Sequence, residues 1–207
     1  MEVKLTDRIS YIPQVERPLS ADIVLVRGDS RIFIFDVGNN DAATSYLNEL
    51  NTDKTVILSH FHSDHTANLE DTVYDELYVG LQTFKSVRKG TVVMEPVVIN
   101  DGVKLEIIPV PNVHAKGALL LVVDDDIVFT GDATYAMWKD GKTIYNTQLL
   151  KEEIQILKEL SADKCFLSHD SGKIRAKKTI LMLLEGIYNK RTKDCPYIYL
   201  EREKNND

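Results

Sequence analysis

Leu58-Ser59-His60-Phe61-His62-Ser63-Asp64-His65-Thr66-Ala67-Asn68 is the stretch around which this chain is organised. Three imidazoles and a carboxylate fall within residues 60–65, directly after the apolar run Thr55-Val56-Ile57-Leu58. That run reads as a buried strand. Where a strand opens into a loop, alternate side chains project the same way, so His60 and His62 share a direction. A turn beyond them brings Asp64 and His65 round to a neighbouring position. The layout is that of two adjacent metal sites, and imidazole with carboxylate suits Zn²⁺ and other first-row divalent ions. Taken singly, each histidine is more simply a solvated or hydrogen-bonded loop residue; the four positions together argue against that reading.

This His-x-His-x-Asp-His run after a strand resembles the signature of the metallo-β-lactamase superfamily, whose remaining positions can be sought downstream. His114 stands in Pro111-Asn112-Val113-His114-Ala115-Lys116-Gly117, and Asp132 in Phe129-Thr130-Gly131-Asp132-Ala133-Thr134-Tyr135. His169 follows Cys165-Phe166-Leu167-Ser168. The chain has five histidines, and each falls on a ligand position of the family pattern. The resemblance implies an α/β (α+β) fold, a four-layer αββα sandwich made by one domain over residues 1–207. It implies that His60, His62 and His114 bind one metal ion, that Asp64, His65 and His169 bind a second, and that Asp132 bridges both.

The activity implied is hydrolysis. Two divalent ions, Zn²⁺ foremost with Fe or Mn accepted by the same donors, acidify a shared water, and the hydroxide attacks a small ester, lactone or thioester. Asp64 has a further catalytic duty in this reading, orienting that water or carrying its proton. Asp36, in Asp36-Val37-Gly38, resembles the family's first motif, an acidic residue that supports the metal loop by hydrogen bonding. Tyr135 resembles the tyrosine of the superfamily's lactonases that supports charge on the substrate oxygen; otherwise its ring packs the loop. Lys116 could meet a substrate carboxylate or phosphate, with solvation the simpler fate for a loop lysine. Trp138 and Tyr145 read as loop aromatics. The third motif departs from the Thr-Pro-Gly-His-Thr-x-Gly of glyoxalase II and lactonases, so it identifies neither enzyme. The same donors would serve a phosphodiesterase or phosphonate hydrolase, or a non-catalytic metal-binding module, although retention of all seven ligands favours turnover.

Bulk properties narrow the partners. A formal charge of −7 works against nucleic acid, whose recognition relies on clustered Lys and Arg, and leaves a small-molecule substrate as the expected partner. Lys173, Arg175, Lys177 and Lys178 read as the solvated side and first turns of a helix. No signal peptide is visible at the start and no apolar run is long enough for a membrane span. Cys165 and Cys195, far apart in sequence, read as free thiols, and the cytoplasm is the expected location.

Along the chain, residues up to Pro18 read as an edge strand and a loop. Residues 21–26 and 31–36 form a hairpin about the turn Arg27-Gly28-Asp29-Ser30. A helix over 41–50, capped by Asp41, leads to the strand before His60. Strands are expected at 76–79, 91–94, 97–99 and 103–110, with a short helix over 81–87. Two apolar runs, 118–123 and 127–130, join through Asp124-Asp125-Asp126 as a hairpin, which carries His114 and Asp132 to one sheet end. An amphipathic helix spans 147–160, and strand 164–167 presents His169. Ser171 caps a last helix running through Ile174 to Ile187, residues 196–200 add a small strand, and 201–207 form a charged tail.

Overall fold

The computed structural model of the chain describes residues 2–200; the charged tail at 201–207 lies outside them. Alternation within the strands builds the layers. In Ile23–Arg27 and Arg31–Phe35, Val24, Val26, Phe33 and Phe35 face one way, while Ile23, Leu25, Ile32 and Ile34 face the other. Ala118–Val123 behaves alike: Leu119, Leu121 and Val123 join the same inner cluster as Phe33 and Phe35, and Leu120 and Val122 join a separate outer one. Strands apolar on both faces need cover on both faces, so two sheets stack with helices outside each.

Among the described residues the first sheet has seven strands, ordered Val3–Lys4, Ile9–Ile12, Ile23–Arg27, Arg31–Phe35, Asp53–Leu58, Glu76–Val79 and Thr91–Val92. The second has six, ordered Val97–Asn100, Lys104–Val110, Ala118–Val123, Ile127–Phe129, Lys164–Phe166 and Ile174–Ala176. Between them Phe35, Phe129 and Phe166 stack at ring-centroid separations of 6.4 and 5.5 Å. Burying each such ring contributes about 1.5–3 kcal/mol. Helix Asp41–Glu49 packs Ala43 and Leu47 on the outer face of the first sheet. Helices Thr147–Glu159 and Lys177–Tyr188 pack Leu150, Ile154, Leu157, Ile180, Leu184 and Ile187 on the second. The result is the four-layer αββα sandwich.

Strand direction decides where the loops collect. Arg31–Phe35, Asp53–Leu58 and Glu76–Val79 pair in parallel, as do Ile127–Phe129 and Lys164–Phe166. Lys104–Val110 points the same way as Ile127–Phe129, because each is antiparallel to Ala118–Val123 between them. Asp36, His60, His114, Asp132 and His169 therefore all follow the carboxyl ends of strands. Leu119 donates its amide to the Ser59 carbonyl at 2.8 Å and Asp22 to that of Ser168 at 3.1 Å, joining the two rims.

Several local expectations change. The amino-terminal stretch does supply an edge strand, Val3–Lys4, and adds a second, buried strand, Ile9–Ile12, between it and Ile23–Arg27. Helix Asp41–Glu49 is capped by Asn40, whose side chain accepts from the Ala43 amide, and not by Asp41. Ser171 caps nothing: it sits at φ 54° in a turn, Ile174–Ala176 is a strand beside Lys164–Phe166, and the last helix starts at Lys177. The basic group Lys173, Arg175, Lys177 and Lys178 is thus not one helical side. Arg175 pairs with Asp170, and Lys177 is buried with its ammonium donating to the Leu160 carbonyl. Trp138 and Tyr145 lie on strands Met137–Lys139 and Lys142–Asn146, which form a third sheet with Tyr197–Leu200.

Candidate metal centre

The histidine motif does not continue as a strand. His62 ends the extended segment at φ −68° and ψ 148°, and Ser63–Thr66 closes a single helical turn behind it. The turn swings Asp64 and His65 to one side of His60 and His62. Gly131 makes the approach of the Asp132 loop possible. Its φ is 54°, and a Cβ there would stand 2.6 Å from that of Ser59. Only glycine accepts both the backbone and the proximity.

All seven donors meet at this rim in two groups. His60, His62 and His114 form one, and Asp64, His65, Asp132 and His169 the other; within each group the candidate ligand atoms lie within 4.8 Å of one another. Asp132 stands between them, with Oδ2 at 3.3 Å from His114 Nε2 and 3.4 Å from His65 Nε2, and Oδ1 at 3.6 Å from His169 Nε2. Asp64 Oδ2 is 3.1 Å from His169 Nε2.

Four of the five rings are held from behind. Asp36 accepts from the Ser59 amide, the Ser59 hydroxyl and His65 Nδ1, all at 2.7 Å. His60 Nδ1 meets the Ser59 hydroxyl at 3.0 Å, His114 Nδ1 donates to the Ala136 carbonyl at 3.0 Å, and His169 Nδ1 donates to Gln14 Oε1 at 3.0 Å. These bonds assign the inner nitrogens as lone-pair donors. His60 Nε2, His65 Nε2 and Asp132 Oδ1 are buried without a hydrogen-bond partner, a loss of about 1–3 kcal/mol for each such atom. Imidazole nitrogens and carboxylate oxygens crowded together in this way fit divalent cations.

The charge balance of the protein alone says the same. Burial and the neighbouring imidazoles hold His60 well below the ordinary histidine range. Burial opposes a charge on His65, yet Asp36 and Asp132 raise it to about 10. Burial likewise opposes a charge on His169, which Asp64 and Asp132 push up.

Tyr135 lies 6.4 Å, ring to ring, from His169, and burial together with the Asp132 charge raises its phenol far above the ordinary value. Lys116 is exposed on the His114 loop. Tyr145 is buried and donates its hydroxyl to the Thr134 carbonyl, and Trp138 is 56% exposed. A cleft of about 810 Å³ between residues 146–148 and 188–196 has none of the seven donors in its wall. Both cysteines are free thiols, and no helix among the described residues is long and apolar enough to cross a membrane. Gln14 and the buried Asp22, pushed up to about 6 by its burial, were not legible as site residues. Gln14 is 155 positions from His169 and carries no motif; Ser59, by contrast, sits inside the quoted motif.

No protein-family model matches the chain, and no curated protein matches it in sequence. Solved structures do. A B3 metallo-β-lactamase with an active-site glutamic acid superposes with a TM-score of 0.70 at 12% identity, covering 92% of this chain and 89% of that one. A flavo di-iron protein from Thermotoga maritima gives 0.67 at 14% identity over 94% of this chain, which spans 63% of that protein. The chemotaxis sensor ODP, described in a peroxy di-iron state, gives 0.67 at 15% identity, covering 90% and 94%. At such identities the likeness is one of architecture, and the architecture of this chain is the metallo-β-lactamase fold.

Proposed function

We propose that the chain is a metal-dependent hydrolase that directs water onto a small ester, lactone or thioester. One observation carries the reading: seven donors from four separate loops converge in two adjoining groups, with buried lone pairs that no hydrogen bond uses. His60, His62 and His114 would hold one divalent ion, Asp64, His65 and His169 the other, and Asp132 would bridge. Bound there, such a pair supplies Lewis acidity and a water acidified towards neutral pH. Five imidazoles with two carboxylates suit zinc, and iron or manganese are also accepted by these atoms.

The remaining work belongs to the chain. Asp36 keeps His65 in one tautomer, so Nε2 faces inward. Asp64 engages His169 through Oδ2 while its side chain keeps 15% exposure, which suits it to take a proton from an attacking water and pass it outward. Tyr135 stays protonated at neutral pH, so its hydroxyl can donate to an oxygen gaining negative charge. The test is a panel of chromogenic esters, lactones, thioesters and phosphodiesters, run with metal-loaded and chelator-stripped protein. Metal-dependent turnover of acyl substrates supports the reading; turnover of phosphodiesters alone replaces it with the phosphoryl alternative.

A second reading has its own support. Two of the similar structures are named as di-iron proteins, one of them a sensor. Protein that is purified with iron, hydrolyses nothing on the panel and changes its absorbance with oxygen would favour that class.

A further inference from the structure

The two donor groups are not supported alike. Residues 14–22 cross the rim as a strap, and every contact the strap makes with the centre falls on the second group. The Ala21 amide donates to the carbonyl of Asp64 at 2.9 Å, and the Asp22 amide to the carbonyl of Ser168, next to His169, at 3.1 Å. Gln14 Oε1 accepts from His169 Nδ1 at 3.0 Å. Gln14 is itself pinned, because its amide donates at 2.7 Å to Oδ1 of Asp22, a side chain only 1% exposed. His60 and His114 are oriented instead by Ser59 and the Ala136 carbonyl, on other segments.

We propose that Gln14 is a positioning residue for the second metal ion alone, holding His169 with Nε2 turned towards Asp64 and Asp132, so that the strap sets second-ion affinity independently of the first. The proposal rests on the two-ion reading above. Its physical basis is that a ligating imidazole needs its other nitrogen occupied by an acceptor, which fixes both tautomer and ring angle. Gln14 is the acceptor the fold provides, and it comes from the opposite end of the chain. Folding of the amino-terminal segment onto the rim is then a condition for filling the second site, whereas the first can fill without it.

The experiment titrates Zn²⁺ into the chelator-stripped full chain against a chromophoric competitor. Wild type, Gln14→Leu and Gln14→Glu are compared, with melting of the stripped proteins as a check on folding. Leucine keeps the bulk and removes the acceptor; glutamate keeps an acceptor. The expected result is two equivalents in wild type, the second weakened about 10–100-fold in Gln14→Leu with the first within about twofold, and Gln14→Glu binding both. Equal weakening of both equivalents, no weakening of either, or a Gln14→Glu protein as impaired as Gln14→Leu would each overturn the proposal. Wild type that takes up fewer than two equivalents would instead sink the two-ion reading, and this inference with it.

Discussion

Replacing Asp36 with Asn tests what holds the donor loops together. Asp36 is fully buried, sits at φ 65°, a conformation asparagine tolerates, and accepts three hydrogen bonds at 2.7 Å. Asparagine preserves the shape but removes the charge and turns one acceptor into a donor that faces Ser59 or His65. The folded pKa of His65, about 10, lies above its ordinary 6.5. The His65–Asp36 attraction therefore contributes fully below pH 6.5 and is lost as pH rises through about 10. At pH 6 the variant removes one of the two carboxylates beside a buried cation, with Asp132 remaining at 3.4 Å, a cost of at most about 3–5 kcal/mol. Near pH 10 only the weakened bonds to Ser59 remain, at about 1 kcal/mol each. Urea unfolding of chelator-treated protein at pH 6, 8 and 10 measures the difference directly. A destabilisation below about 1 kcal/mol that does not vary with pH would refute the buried ion pair and the cause assigned to the raised His65.

Other outcomes follow from the same geometry. Asp132→Ala should abolish turnover and weaken both metal equivalents, because its two oxygens stand within 3.6 Å of imidazoles from both groups; metal analysis beside activity checks this, and full activity would contradict the bridge. Tyr135→Phe should lower kcat about 10–100-fold with metal content unchanged, as expected for one lost donor to a developing charge; an unchanged kcat removes the residue from the reaction. Metal uptake at pH 7 should release a proton, since His65, raised to about 10, must give one up, so affinity should rise with pH; calorimetry in buffers of different ionisation enthalpy counts it. Glu153 is buried at 1% exposure, neither carboxyl oxygen has a partner, and burial raises its pKa well above 4.5. It costs stability as pH rises above 4.5, where the unfolded chain ionises and the folded one resists. Glu153→Gln should then melt higher than wild type at pH 8 and nearly equal at pH 4, and equal melting at both would discount the burial effect.

Much of this protein could be read from its residues because the deciding patterns are short-range. Strand and hairpin assignments over residues 21–35 and 118–129 depend on apolar runs and turn residues that lie side by side in sequence. The run from His60 to His65 likewise carries its own geometry, a strand end followed by one helical turn. The clearest error fell where strand pairing, which a segment's own pattern does not reveal, decided the outcome. Ser171 and Ile174 looked like a cap and first turn of a helix, but pairing with Lys164–Phe166 draws residues 174–176 into the sheet.

The amino-acid order alone determined a layered α/β chain with a histidine-rich loop at a strand end, since side-chain periodicity and local turn chemistry are properties of adjacent residues. Only the tertiary structure decided that His114, Asp132 and His169 close on that loop, that Asp36 and Gln14 set the ring nitrogens, and that residues 14–22 brace one donor group and not the other. Those relations come from parallel strand direction and the stacking of two sheets, which join positions up to 155 residues apart and leave no periodic trace in the chain.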